Sequence, residues 1–160
     1  MDIDLHAPVI VEHQTLVRAP LDQVWRLHTD IDAWPTWNAG IDTAALRQEL
    51  AVGAVFDWET HGLGISSTVA ELVPRRRIVW GGPAHGIDGV HVWTFEPVDG
   101  GVLVRTRESW AGAPVEADPE GMRAALDASI RAWLADLKRT AELGTELKRT
   151  AELGTDEPRL

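Results

Sequence analysis

The stretch from Asp118 to Leu143 constrains the architecture most, because it reads as one long amphipathic helix whose apolar stripe must be covered. Apolar residues recur at Met122, Leu126, Ile130, Trp133, Leu137 and Ala141, with Ala125 and Leu134 flanking, so steps of three and four keep one face in register. Asp118 suits the N-cap, Pro119 the first helical position, and Glu120 the positive end of the helix dipole. Arg123, Asp127, Arg131, Lys138 and Glu142 fall largely on other faces, and Asp127 and Arg131 are spaced as an i, i+4 ion pair. At about 1.5 Å per residue the helix would be roughly 39 Å long. Only a broad surface can shelter it.

The preceding chain supplies one. Val9 to Val17 alternates as a strand, with Val9, Val11, His13, Thr15 and Val17 on one face. Ala19-Pro20-Leu21-Asp22 opens a short helix through His28, and Asp30 to Trp34 adds a further turn, closed where Pro35 disfavours helix at Trp34. From Ile41 onward the period switches to two. Strands are expected at Ile41 to Leu50, Ala54 to Thr60, Ile65 to Val73, Ile78 to Trp80, Val90 to Val98 and Val102 to Ala111. His61-Gly62-Leu63-Gly64, Gly81-Gly82-Pro83 and Asp99-Gly100-Gly101 read as turns. Such tight returns pair neighbours antiparallel. The expected fold class is α+β, a curved antiparallel sheet of about seven strands wrapped around a long C-terminal helix, with two short helices after the first strand.

Composition narrows the partners. The 160 residues fit one domain with a substantial core. There is no cysteine, so disulfides, thiolate metal sites and a Cys nucleophile are excluded. A formal net charge of −10 argues against nucleic acid or an anionic membrane surface as the main partner. No run approaches the roughly 20 apolar residues of a membrane helix, so no membrane insertion is expected. Met1 to His6 lacks the basic and apolar regions of a signal peptide, and the expected location is cytoplasmic. The eight Trp, two Phe and absent Tyr are more telling. Indoles either fill a core or line a pocket for flat apolar ligands, and without Tyr no phenol can serve as acid or donor.

Val17-Arg18-Ala19-Pro20 followed by Val24-Trp25, Trp34-Pro35-Thr36-Trp37, Gly53 before a strand, Arg77-Ile78-Val79-Trp80, and Glu108-Ser109 with Gly112 together resemble the START-like superfamily, closest to its bacterial polyketide cyclase/dehydrase and lipid-transport branch. The resemblance spans about Val9 to Leu143 and rests on the order of elements. It implies a helix-grip fold with a deep, largely apolar cavity between sheet and C-terminal helix; no cofactor is expected. It does not decide among cyclases, carriers and ligand sensors.

Under that fold the ligand-binding walls are expected to comprise Phe56, Trp58, Ile78, Trp80, Trp93, Phe95, Thr106 and Trp110 from the sheet, and Met122, Leu126, Ile130 and Trp133 from the helix, with Trp34, Trp37 and Asn38 near one mouth. His91 and Glu108 are the titratable inward candidates for catalysis. A neutral imidazole could remove a proton next to a carbonyl and a buried carboxyl could return one to oxygen, as aldol cyclisation and dehydration require. An inward His or Glu in a sheet is more often tied up by Arg or a backbone group. Arg105 and Arg107 should face outward. His85, Asp88 and His91 are spaced three apart, but Gly86 and Gly89 make that segment a loop, and no metal is expected. The chain has no GxSxG, HExxH or phosphate-binding glycine loop. The expectation is therefore binding of a hydrophobic or aromatic small molecule, with cyclase/dehydratase chemistry, a non-catalytic carrier or sensor, or a client-binding protein of the same fold as the alternatives.

Leu137 to Thr145 recurs letter for letter as Leu147 to Thr155. A ten-residue shift at about 100° per residue turns the second copy roughly 80° off the first stripe, so both cannot pack on one sheet. The expectation is a domain over 1–145, a helix stopping near Gly144, and a charged tail over 146–160. The alternative is a helix continuing to Gly154, whose new stripe of Leu143, Leu147 and Ala151 would be available to a second copy in a homodimer.

Overall fold

A computed structural model describes residues 1–154. In chain order the elements are β1 (Val9–Val17), α1 (Leu21–Thr29), a 3-10 turn (Ile31–Ala33), α2 (Trp34–Trp37), β2 (Ile41–Leu46), β3 (Val55–Thr60), β4 (Leu63–Val73), β5 (Arg77–Ala84), β6 (Ile87–Val98), β7 (Gly101–Ala111), α3 (Ala113–Ala117) and α4 (Pro119–Gly154). The strands form one antiparallel sheet in the order β1-β7-β6-β5-β4-β3-β2. Irregular pairing between Val69 and Glu71, and between Ile41 and Thr43, interrupts the ladder; such bulges bend and twist a sheet locally. The curved sheet, the long C-terminal helix and the two short helical segments after β1 match the expected α+β fold.

The helix start is built as its sequence reads. Asp118 Oδ1 accepts from the Gly121 backbone N–H at 3.0 Å. A side chain at Gly121 would collide with that carboxylate, its Cβ falling 2.1 Å from Asp118 Oδ2, so the glycine makes room for the cap. Leu126, Ile130, Trp133, Leu134, Leu137 and Ala141 are buried and Met122 packs partly buried beside them, as the spacing requires. Asp127 and Arg131 pair at 2.8 Å, and Asp127 also meets His13 Nε2 of β1 at 2.6 Å.

Several boundaries differ from expectation for physical reasons. The helix does not stop at Gly144 but continues to Gly154. Gly144 serves close approach to α1 instead of capping. Gln23 Nε2 lies 2.9 Å from where its Cβ would be and donates to the Ala141 carbonyl at 2.9 Å. Leu143 and Leu147 are exposed on the continued helix, off the packed stripe. Residues 155–160 of the expected tail lie outside the described residues. Trp34 takes helical dihedrals despite preceding Pro35; its buried ring donates to the His28 carbonyl at 2.8 Å, a tertiary contact that overrides the local preference. Neither Gly81-Gly82 nor Leu63-Gly64 is a turn. β5 runs through the first pair, and the hairpins turn on His61-Gly62 and His85-Gly86, all four with positive φ as two-residue turns demand. β2 ends at Leu46 instead of Leu50, and α3 was not foreseen.

The sheet's other face is also partly covered. Ile3 packs on Val79 and Val92, with Ile10, Ala70 and Val90 around them. The Asp4 N–H donates to Ser109 Oγ at 3.0 Å. The amino-terminal segment is thus a flap on the convex face, and Arg105 and Arg107 face outward there, Arg107 toward Asp2 and Glu12.

Candidate functional site

α4 approaches β1 and α1 most closely, which leaves the space above the opposite half of the sheet to be filled by side chains. At the α1–α2 end aromatic rings fill it. Trp25 meets Phe95 edge-on with centroids 5.2 Å apart, Trp34 meets Phe56 at 5.5 Å, and His28 lies on Trp93 at 4.2 Å. At the opposite end, under the β3–β4 and β5–β6 hairpins, a cavity of about 180 Å³ remains. Its floor carries Gly82 and Gly89, paired with each other across β5 and β6, where no side chains rise from the sheet. Trp58, Trp80 and Trp133 form one wall with mutual centroid separations of 5.7 to 6.0 Å. Trp110, Leu126 and Ile130 close other sides. A neighbouring depression of about 390 Å³ shares Trp58, Thr60, His61 and Trp133 and runs along the small residues Ala128 and Ala132 of α4, which makes it the natural mouth.

His91 and Glu108 sit directly opposite each other on β6 and β7 and both line the cavity. His91 Nδ1 is 3.2 Å from Glu108 Oε2, out of line for a hydrogen bond. The other ring nitrogen, Nε2, lies 2.7 Å from Thr106 Oγ1. Trp110 Nε1 donates to Glu108 Oε1 at 2.9 Å. Burial, and then the neighbouring His28, hold the His91 imidazolium pKa well below its ordinary value, so the ring is neutral. Burial also pushes the Glu108 carboxyl up to about 7, against the lowering effect of the Trp110 N–H. The side chain is 15% exposed, so proton exchange has a path. Two further indole N–H groups in the wall, of Trp80 and Trp133, have no acceptor in the described chain.

The raised carboxyl has a stability consequence. Between pH 4.5 and 7 the folded protein holds a proton at Glu108 that the unfolded chain has released, so this group destabilises the fold progressively as pH rises through that window, by roughly 3 kcal/mol at its upper end. Glu108→Gln is expected to unfold at higher denaturant than the parent at pH 8, with most of the difference gone by pH 5. Parallel denaturation curves at the two pH values check this.

Of the residues expected at the site, the structure brings Trp58, Trp80, His91, Glu108, Trp110, Leu126, Ile130 and Trp133 together around one cavity. Phe56, Trp93, Phe95 and Thr106 point to the same side of the sheet but are buried beneath other rings or side chains, because α1 and α2 plug that end. Trp37, the last residue of α2, is buried in the core, and Met122 packs against the core's edge, neither on the cavity wall. Ile78 is core as well. Leu63, Ile65, Ile87, Ser67 and Ser129 line the cavity and were missed. Ile65 could have been found, since it pairs with Trp58 across the hairpin. His85, Asp88 and His91 are not gathered: His85 Nε2 lies 2.8 Å from the Gly64 carbonyl while His91 is buried on Thr106. Among the described residues no helix is long and apolar enough to cross a membrane.

A family model described as polyketide cyclase / dehydrase and lipid transport matches residues 8–142. The chain belongs to that family. No curated protein matches it in sequence. Solved structures share the fold of this polyketide cyclase/dehydrase family member. A hypothetical protein from Helicobacter pylori superposes with a TM-score of 0.76 at 21% identity, covering 87% of this chain and 91% of that one. The Zhui aromatase/cyclase from Streptomyces sp. R1128 does so at 0.73 and 19%, covering 83% and 93%. The di-domain ARO/CYC BexL from the BE-7585A biosynthetic pathway gives 0.68 and 26%, covering 85% of this chain and 47% of that one.

Proposed function

We propose that this family member binds a small, flat, largely apolar molecule in the Trp-lined cavity and moves protons on it with Glu108, in chemistry of the cyclase/dehydratase kind. The observation that carries this reading is the pairing of Glu108 with His91 inside the cavity, one carboxyl poised near neutrality beside one neutral imidazole. Burial makes His91 a weak base, so the base role expected for it passes to Glu108. As carboxylate, Glu108 takes a proton from the carbon next to a carbonyl; as acid, it returns that proton to the departing β-hydroxyl. The substrate loses one water and Glu108 ends as it began. The Trp110 N–H orients the carboxyl, and His91, fixed by Thr106, stands beside it. The volume supports a one-ring or two-ring portion of substrate, since a cavity of about 150 Å³ already holds benzene in another protein.

The test uses 4-hydroxy-4-phenylbutan-2-one, whose dehydration creates a conjugated enone followed by near-ultraviolet absorbance. The parent is expected to accelerate the reaction and Glu108→Gln to lose about a hundredfold or more of that rate. Parent-level turnover in the variant removes the acid–base assignment.

A second reading, a non-catalytic carrier, is favoured by the engagement of His91 Nε2 with Thr106, which leaves the ring no aligned contact with Glu108, and by the modest cavity, which is too small for a long acyl chain. It predicts that the bound ketone returns unchanged.

A further inference from the structure

The cavity has a charge sign. Its lining holds one carboxyl, Glu108, and no Lys or Arg. The flanking Arg105 and Arg107 of β7 lie on the opposite face with Glu96, Asp2 and Glu12. From α4, Arg123 donates to the Pro8 carbonyl and Arg131 pairs with Asp127, which also holds His13 of β1. From β6 the only titratable group facing Glu108 is neutral His91, and the remaining titratable lining groups are His61 and His85 at the hairpin turns. The acceptor oxygens of Glu108 therefore meet one indole N–H and one misaligned imidazole, with no cation among the described residues beside them.

Four indoles line the same cavity, Trp58, Trp80, Trp110 and Trp133, and that of Trp110 contacts the carboxyl. Their faces carry negative potential, and Trp is the strongest of the aromatic side chains in attracting a cation. We infer that the cavity selects small arylalkyl amines in their ammonium form, the charged nitrogen against Glu108 and the ring on the indole wall. This deepens the ligand-binding reading above and rests on it. A carboxylate ligand is rejected, because it would place a second anion beside Glu108 without any basic partner. A neutral oxygen ligand could accept from the free N–H groups of Trp80 and Trp133, but such bonds are weaker than a charge-assisted contact to a desolvated carboxylate.

The inference is tested with three near-isosteric probes, benzylamine, benzyl alcohol and benzoate, by isothermal titration calorimetry on the full chain at pH 8 and pH 5.5. At pH 8 benzylamine is expected to bind at least tenfold more tightly than benzyl alcohol, and benzoate not to bind. Because the carboxyl must give up its proton to receive the cation, benzylamine affinity is expected to fall about tenfold per pH unit below 7, while benzyl alcohol affinity changes little. In Glu108→Gln, with its fold checked by near-ultraviolet circular dichroism, the amine-to-alcohol ratio is expected to collapse to about one. Benzyl alcohol binding as well as benzylamine at pH 8, or benzoate binding at pH 8, overturns the charge selectivity and leaves the cavity reading standing. If none of the three binds, the cavity reading itself fails.

Discussion

Replacing His28 by Phe is expected to stabilise the protein at pH 4 by about 3 kcal/mol beyond whatever the same change does at pH 7. The ring of His28 is wholly buried on α1, lying between Trp93, Phe95, Trp34 and Trp133, and neither of its nitrogens has a hydrogen-bond partner. Burial lowers its pKa to about 3 from 6.5. Above pH 6.5 the ring is neutral in both folded and unfolded chains and contributes no pH dependence. As pH falls, the unfolded chain takes up the proton first and the equilibrium shifts toward unfolding, until the folded ring titrates near 3; the full window is worth about 5 kcal/mol. His91 adds to this loss in the same direction. Glu108 opposes it, because its folded-state proton stabilises the protein as pH falls from 7 to 4.5. The parent's own stability profile therefore understates the histidine effect, and the variant-minus-parent difference is the quantity to measure. Urea midpoints at half-unit pH steps from 7 to 4 should show that difference widening steadily. A difference that stays flat across the range would mean that water or a partner reaches the ring.

What could be read from the chain followed from periodicity, and what could not followed from three-dimensional filling. Period two placed His91, Trp93 and Phe95 on one face, and period 3.6 placed Leu126, Ile130 and Trp133 opposite them; both hold. Nothing in either period says that Trp25, His28 and Trp34 from the short helices fill one end of the concave face while the other stays open. The open end is marked by absence instead. Gly82 and Gly89 put no side chains on the floor, and Gly81-Gly82 in a row suggests a turn until strand pairing shows that β5 runs through it. The same ambiguity misplaced the helix end. Gly144 has the look of a C-cap, yet the residues after it are strong helix formers and its missing side chain accommodates Gln23. The outer cluster of Ile3, Val79 and Val92 escaped notice because the alternation assigns Val79 and Val92 to a solvent face that only a folded-back terminus covers.

Trp133→Ala is expected to cost 3–5 kcal/mol, the range for deleting a large buried aromatic. Its ring stands between helix and sheet, with centroids 5.1 Å from Trp34, 5.3 Å from Trp93, 5.6 Å from His91 and 6.0 Å from both Trp58 and Trp80. Neighbouring side chains are themselves wedged edge-to-face and have little freedom to collapse into the gap, which places the cost toward the upper part of the range. The ring also forms the boundary between the packed core and the cavity, so its removal enlarges the cavity as well as weakening the grip of α4. The two effects are separable. Free indole should bind the enlarged cavity and raise the variant's melting temperature in proportion to the logarithm of its concentration once it exceeds the dissociation constant, while the parent responds much less. A structural role alone predicts the loss without the rescue. A loss below about 1 kcal/mol would mean that the sheet holds its shape without this ring, and the wall of the cavity would then have to be credited to Trp58 and Trp80 instead.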